Sequence, residues 1–256
     1  MSDDAVIEMS GVAVANPHGS DVPVVAAVDW RVARGECWVV AGQQGSGKTT
    51  VIETAAGLRP ASRGEVRLFG EPLPSSAGEA MARLRQRVGF VFEGAGRLFP
   101  DLGVGENIAL PLRYHRHLTA AESVAELRPL MEAFQLERFA HLAPGRIGRA
   151  WARRAGLARA MASRPELVLL DNPLEGLDPV HLRWWRGFLA ELVHGHPWLG
   201  GKPATVVIAT DELRPLLGIG TRFATVDRGL WKVLGDRGAV SASDDPAVRE
   251  LMDERN

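Results

Sequence analysis

Apolar positions along the chain change period several times, and each change marks an element. Residues 5–15, AVIEMSGVAVA, and 22–32, VPVVAAVDWRV, alternate apolar and polar side chains, which predicts antiparallel, half-buried strands. Residues 37–42, CWVVAG, are continuously apolar and end in glycine, as a strand covered on both faces does. The next run, KTTVIETAAGL from Lys48, reads as a helix closed by Gly57. EVRLFG (65–70) predicts a short strand, and EPLPSSAG (71–78) a loop. From about Arg97 to Ala162 the texture is helical. Thr119 and Glu122 have capping-box spacing and open SVAELRPLMEAFQL, which Pro129 is expected to bend or divide. Pro144 and Gly145 interrupt, and IGRAWARRAGLARAMA resumes with good helix formers. Strand texture returns in LVLLD (167–171) and TVVIAT (205–210), with HLRWWRGFLAELVHG as a crossover helix between them. DDPAVRELMDERN predicts a short helix at the C-terminal end. There is no internal repeat and no low-complexity tract.

Composition narrows the class. A chain of 256 residues with 46% hydrophobic and 24% charged residues is a folded protein, long enough for one large α/β unit with an inserted subdomain. A net charge of −1 gives no global field to recruit nucleic acid or anionic lipid. The single cysteine, Cys37, lies in an apolar run and is expected to be a core thiol, with no intrachain disulfide available. No apolar stretch approaches the roughly 18 residues of a membrane span, and MSDDAVIEMS lacks the basic start and apolar core of a signal peptide. The expectation is a cytoplasmic protein that meets a membrane only through a partner.

Candidate chemistry concentrates in two places. Gly42-Gln43-Gln44-Gly45-Ser46-Gly47-Lys48-Thr49, followed by Thr50, fits G-x-x-x-x-G-K-[ST] at every fixed position, between a predicted strand and a predicted helix. Glycines there let backbone N–H groups curl around phosphate oxygens at a helix N-terminus. Lys48 would reach the β- and γ-phosphates and Thr49 would ligate Mg²⁺. The plainer alternative is a Gly-rich turn with a surface lysine. The second place is LVLLDNPLEGLD (167–178), where a buried strand delivers Asp171, the expected carboxylate partner of Mg²⁺, or else a turn-capping aspartate. Asn172 follows it, and an amide can hydrogen-bond a water but cannot take its proton.

With these motifs in order, the chain resembles the ATP-binding subunits of ABC transporters over essentially its whole length. It is most similar to the Mla/Mce-type ATPases of lipid transport through FVFEGAGRLFPDLGVGENIALPLRYHR, ARRAGLARA and DDPAVRELMD. The resemblance implies an α/β fold: a P-loop NTPase (RecA-like) core with an antiparallel β subdomain and an inserted α-helical subdomain. It divides the chain into a nucleotide-binding core at 1–96 and 163–235, a helical subdomain at 97–162 and a helical tail at 236–256. It also implies ATP and Mg²⁺ as ligands, a transmembrane permease as partner, and a homodimer or heterodimer with another ABC ATPase, peripheral on the inner membrane.

Carried over residue by residue, the resemblance exposes departures. Glu93 stands where a glutamine senses Mg²⁺ and the γ-phosphate. Ile147-Gly148-Arg149-Ala150-Trp151 replaces the signature LSGGQ that faces the partner's nucleotide. Asn172 replaces the glutamate that orients and deprotonates water, and Asp211 the switch histidine. In the D-loop, Glu175 takes a small polar residue's place while Asp178 is retained. Asn16 or its neighbours fall where an aromatic residue stacks on adenine. Binding groups are therefore kept and γ-phosphate groups altered. Loss of a positioned base costs on the order of 10² to 10⁴ in rate, and Asp211 places negative charge where charge must be stabilised. Several roles stay open. Arg149 is an arginine finger, a solvated helix residue or an interface plug. Trp151 is core packing or part of an occluded face. Glu93, Glu175 and Asp211 are each candidates for a displaced base, although Glu93 could instead ligate Mg²⁺ and Asp211 cap a helix at ELRPLL. Of Trp184 and Trp185, one can pack on the sheet while the other faces an interface. Leu98, Phe99, Leu102 and Leu110, with Arg113 and Arg116, are a permease groove or simply subdomain core with its solvated face.

Overall fold

The computed structural model describes residues 4–17, 19, 21–74, 78–94 and 97–253. In chain order the elements are β1 (Ala5–Val14), β2 (Val25–Ala33), β3 (Cys37–Ala41), α1 (Lys48–Ala55), β4 (Ala61–Leu68), β5 (Glu71–Pro72), α2 (Glu79–Gln86) and β6 (Val88–Val91). There follow α3 (Val104–Arg116), α4 (Ala120–Ala133), α5 (Arg149–Met161), β7 (Leu167–Asp171), α6 (Pro179–His194) and β8 (Thr205–Thr210). The last four are β9 (Arg222–Asp227), β10 (Leu230–Gly235), α7 (Arg237–Ser241) and α8 (Pro246–Met252).

A four-stranded antiparallel sheet, ordered β2-β1-β4-β5, lies beside a six-stranded sheet ordered β10-β9-β3-β8-β7-β6. In the larger sheet β9, β3, β8, β7 and β6 run parallel, and β10 closes the edge antiparallel to β9. β3, β7 and β8 are buried along their whole length, as their unbroken apolar runs require. β3 divides its side chains between two cores. Cys37, Val39 and Ala41 join Ile108, Phe134, Leu157 and Trp185 on the helical side. Trp38 and Val40 join Ile7, Trp30 and Ile52 beneath the antiparallel sheet. Cys37 is fully buried, and burial pushes its thiol up to about 12.

The N-terminal strand is more deeply set than its alternation predicts. Ala5, Val6 and Ile7 at one end, and Val12, Ala13 and Val14 at the other, are all buried. β1 is the strand between β2 and β4, and its ladder slips between Met9 and Val12, which disrupts the inward-outward alternation. β9, β10, β6 and α2 have no counterpart in the apolar pattern. β6 is only four residues long, and α2 buries just Met81 and Leu84.

Two expectations are corrected. α4 is not divided at Pro129, which sits on the exposed side of the helix, as does Ala125 one turn before it. The capping box at its start is present as expected: Glu122 N–H donates to Thr119 Oγ1 (3.3 Å) and Thr119 N–H to Glu122 Oε2 (2.8 Å). At ELRPLL there is no helix for Asp211 to cap. The segment forms a single 3₁₀ turn, Arg214–Leu216, entered from Leu213. Gly218 and Gly220 follow at once, and the Leu213 N–H is spent on Leu251 O of α8 at 2.8 Å. Trp185 is fully buried, while its half-buried neighbour Trp184 stacks on Phe188 within the same core.

Ahead of α3, buried Asn107 pins the chain. Its Nδ2 donates to the carbonyls of Phe99 (3.0 Å), Leu102 (3.1 Å) and Gly103 (3.1 Å), and its Oδ1 accepts from Phe99 N–H (2.7 Å). Among the described residues no helix is long and apolar enough to cross a membrane.

Candidate functional site

The loop Gly42–Gly47 joins the end of β3 to the start of α1, so backbone N–H groups at the helix entrance face one point. Gly47, the N-cap, has φ +101° and, being glycine, offers no side-chain cap to those donors. Glycine is required by space as well: a Cβ at Gly47 would lie 2.4 Å from Val24 Cγ1, and one at Gly42 would lie 2.5 Å from Val226 O. The loop is braced by Gly42 N–H to Thr210 O (3.0 Å) and Ser46 N–H to Gln43 O (3.0 Å). Lys48 is almost wholly buried and donates to Gln43 O at 3.3 Å. Ser46 Oγ is buried without a partner among the described residues, whereas Gln43, Gln44 and Gly45 are exposed. Thr50 turns inward, its carbonyl bonded by Thr54 Oγ1 at 2.8 Å. Beside the loop a cleft of about 560 Å³ opens between Gly42–Ser46, the β9–β10 turn and α8.

Two residue pairs form behind the loop. Thr49 Oγ1 donates to Asp171 Oδ1 at 2.9 Å. Asn172 Nδ2 donates to Glu93 Oε1 at 3.0 Å. The pairs are joined through the Asp171–Asn172 peptide, at the end of β7. Asp171 is raised to about 6, mainly by burial and further by the nearby Glu93 charge, against the Thr49 bond and Lys48. Asn172 has φ +43°, and its N–H donates to Ala209 O at 2.9 Å. Asp211 follows β8 two residues beyond Ala209 and is half-buried.

The remaining candidates stand around these pairs. Gly148 (φ +74°) and Arg149 are exposed at the start of α5, and among the described residues no hydrogen bond or ion pair ties Arg149 down. Ala150 is half-buried. Trp151 packs inward against Phe139 and His181, with the Arg154 guanidinium 4.5 Å from its ring. Glu175 is exposed, and Asp178 caps α6, accepting from Val180 N–H (2.9 Å) and His181 N–H (3.0 Å). Asn16 is half-buried on the loop after β1, and its neighbours His18 and Ser20 lie outside the described residues. Arg153 is the residue that sequence reasoning missed. Its guanidinium, nearly buried, donates to Gly94 O (3.0 Å), Pro173 O (3.4 Å) and Glu175 O. The only signal was the pair of adjacent arginines, Arg153 and Arg154, in a helix that also carries Arg149 and Arg159.

The ABC transporter family profile matches residues 25–175, more than half of the chain. This chain belongs to the ABC transporter ATP-binding family. It is 31% identical over 223 residues to the intermembrane phospholipid transport system ATP-binding protein MlaF of Escherichia coli (strain K12), covering 87% of this chain and 80% of that protein. It is 39% identical over 168 residues to the Nod factor export ATP-binding protein I of Burkholderia thailandensis, covering 65% of this chain and 53% of that one. The ATP-binding cassette MJ0796, solved as a dimer bound to ADP and Pi, superposes with a TM-score of 0.78 at 24% identity, over 88% of this chain and 96% of that one. CbiO1 from Clostridium perfringens superposes with a TM-score of 0.78 at 19% identity, over 97% of this chain and 93% of that one. The architecture is thus the P-loop NTPase core of an ABC cassette, with its antiparallel β subdomain and helical insertion.

The donor set suits the ligands of an ABC cassette. Thr49 hydroxyl and Asp171 carboxylate are hard oxygens already in contact, the kind Mg²⁺ takes together with substrate phosphates. Among the described residues no group of three or more His, Cys, Asp and Glu is placed to hold a metal ion. Buried Lys48 supplies positive charge under the loop, where the dielectric is low and the charge acts strongly.

Proposed function

We propose that this chain is the ATP-binding subunit of an ABC transporter for lipid or other envelope substrates, binding MgATP at Gly42–Thr50 and turning it over slowly. The observation that carries the reading is the buried Lys48 beneath the glycine loop, with Thr49 and Asp171 paired beside it. Slow turnover follows from Asn172 and Asp211, which place an amide and an acid where this family's water-activating and γ-phosphate-sensing groups stand. The lipid assignment rests on similarity to a phospholipid-transport ATP-binding protein. Thr49 and Asp171 would hold the Mg²⁺ together with the phosphates, and Gly148–Trp151 with Glu175 and Asp178 would face a second ABC ATPase, identical or homologous.

In this reading residues 1–96 and 163–235 bind nucleotide, 97–162 carry the permease contact, and 236–256 form a tail. A permease would dock where Phe99 and Tyr114 are exposed, beside Leu98, Leu102, Leu110, Arg113 and Arg116. It would hold the subunit on the cytoplasmic face of the inner membrane. The test is nucleotide affinity and steady-state ATPase activity of the subunit and its co-purified complex, with Lys48→Ala beside the wild type. The expected result is wild-type binding that weakens by about 100-fold or more in Lys48→Ala, from loss of the buried ammonium on phosphate. Wild-type protein that binds no nucleotide would sink the reading.

A further inference from the structure

The loop after β6 and the end of β7 bring an acid and an amide into contact, and the amide keeps an unmet acceptor. Asn172 Nδ2 donates to Glu93 Oε1 at 3.0 Å, and this bond fixes which way the amide points, since the reverse would set two oxygens face to face. Asn172 Oδ1 is therefore the amide atom not engaged by Glu93. It is buried, in a residue only 6% exposed, and has no donor among the described residues. A buried amide oxygen left unpaired costs free energy, so it needs a ligand that donates.

Glu93 is exposed on its loop, whereas the backbone around both residues is tied down. Asn172 is held at φ +43° by its N–H on Ala209 O, a backbone conformation asparagine tolerates better than most residues. Arg153 Nε donates to Gly94 O, directly after Glu93, and Arg153 Nη1 to Pro173 O, directly after Asn172, and to Glu175 O two residues further on. One guanidinium thus sets the distance between the two loops. The same two groups occur in the family resemblance in the opposite order, with glutamine at position 93 and glutamate at 172. The site has transposed its acid and its amide rather than lost the acid.

We propose that Glu93 is the general base for hydrolysis of the bound nucleoside triphosphate, with Asn172 Oδ1 orienting the attacking water. The proposal rests on the nucleotide-binding reading above. The water donates one O–H to Asn172 Oδ1 and the other to the Glu93 carboxylate. As its oxygen bonds the γ-phosphorus, the second O–H breaks and the proton passes to Glu93. The bond from the γ-phosphorus to the β–γ bridging oxygen breaks, and ADP leaves with that electron pair. Glu93 then returns its proton to solvent beside ADP and inorganic phosphate.

The test compares wild type, Glu93→Gln and the double exchange Glu93→Gln/Asn172→Glu, in the subunit and its complex. Single-turnover ATP hydrolysis is read beside the affinity of a fluorescent ATP analogue with and without Mg²⁺, and beside the melting temperature. Glu93→Gln is expected to slow hydrolysis by about 100-fold or more, with affinity changed less than about threefold. The double exchange is expected to recover the wild-type rate or exceed it. Hydrolysis untouched by Glu93→Gln overturns the proposal. So does a double exchange as inactive as the single one, because the loss is then structural. A Glu93→Gln protein whose Mg²⁺-dependent affinity falls and whose rate returns in excess Mg²⁺ makes Glu93 a metal ligand and overturns it too. Wild type that binds ATP with no Lys48-dependent turnover overturns the base and leaves the binding reading intact. Wild type that binds no nucleotide overturns both.

Discussion

The two residue pairs behind the glycine loop are built alike and left in different states. Thr49 and Asp171 satisfy each other, hydroxyl on carboxylate, on the side that the proposed function gives to the phosphates. Asn172 and Glu93 also hydrogen-bond, yet Asn172 Oδ1 remains buried and unpaired. A closed pair can exchange its hydrogen bond for metal coordination when nucleotide arrives. A pair with an open acceptor is already shaped for one more donor. The contrast explains why substitutions at the water-facing positions need not mean a dead site: what matters is where an acid sits relative to that acceptor, not which chain position supplies it.

The largest expected effect comes from breaking what holds the water-facing pair together. Arg153 is 9% exposed, and burial lowers its pKa from the usual guanidinium range, so its three carbonyl contacts offset a real desolvation cost. Arg153→Met keeps the apolar stem and removes all three contacts. It should cost about 3 kcal/mol of stability, or roughly 6 to 12 °C in melting temperature for a chain this size. Nucleotide affinity, which the proposed function assigns to Lys48, Thr49 and Asp171, should fall far less than turnover. Equal losses in affinity and turnover, measured below the new melting transition, would dissolve the distinction between the two pairs.

Legibility in the sequence divides along the same line. The glycine loop is local: eight consecutive residues specify it, and strand and helix periodicity on either side confirm its setting. Asp171 is readable because an unbroken apolar strand ends on it. The Glu93–Asn172 contact joins positions 79 residues apart and depends on β6 and β7 being neighbours, which no local pattern states. Arg153 hides for a related reason. Its partners are backbone carbonyls, which carry no residue identity to read. The short strand β6 and the helix α2 bury too few side chains to imprint a period, and a proline in α4 looks like a break until its exposed setting is known.

A smaller effect sharpens the phosphate-facing side. The Asp171 carboxyl is raised from 3.8 to about 6, chiefly by burial. A raised carboxylate pKa means the fold prefers the neutral acid, so its contribution is fully present below about pH 4 and is lost as pH rises through about 6. Above that the nucleotide-free protein carries a buried charge. Asp171→Asn should therefore stabilise nucleotide-free protein by about 2 kcal/mol at pH 8 and by almost nothing at pH 4. Urea unfolding at both pH values checks this. With MgATP present the ranking should reverse at pH 8, because the amide cannot supply the negative charge that the metal requires. A variant no more stable than wild type at pH 8 would show that Asp171 is comfortable without its ligands, contrary to the picture of a pair waiting to exchange partners.

The smallest effect serves as the control for both. Thr119 caps α4 in the helical insertion, its hydroxyl accepting from Glu122 N–H at 3.3 Å and donating to Glu122 Oε2 at 2.7 Å. Thr119→Ala frees the first turn of α4 but touches neither loop that carries Glu93 or Asn172. Loss of such a cap should lower the melting temperature by about 2 to 4 °C. Nucleotide affinity and single-turnover rate, measured well below that transition, should stay at wild-type values. If the rate fell with the cap intact elsewhere, α4 would be transmitting strain to Arg153 through α5. The geometry of the water-facing pair would then belong to the whole insertion, not to one guanidinium and two loops.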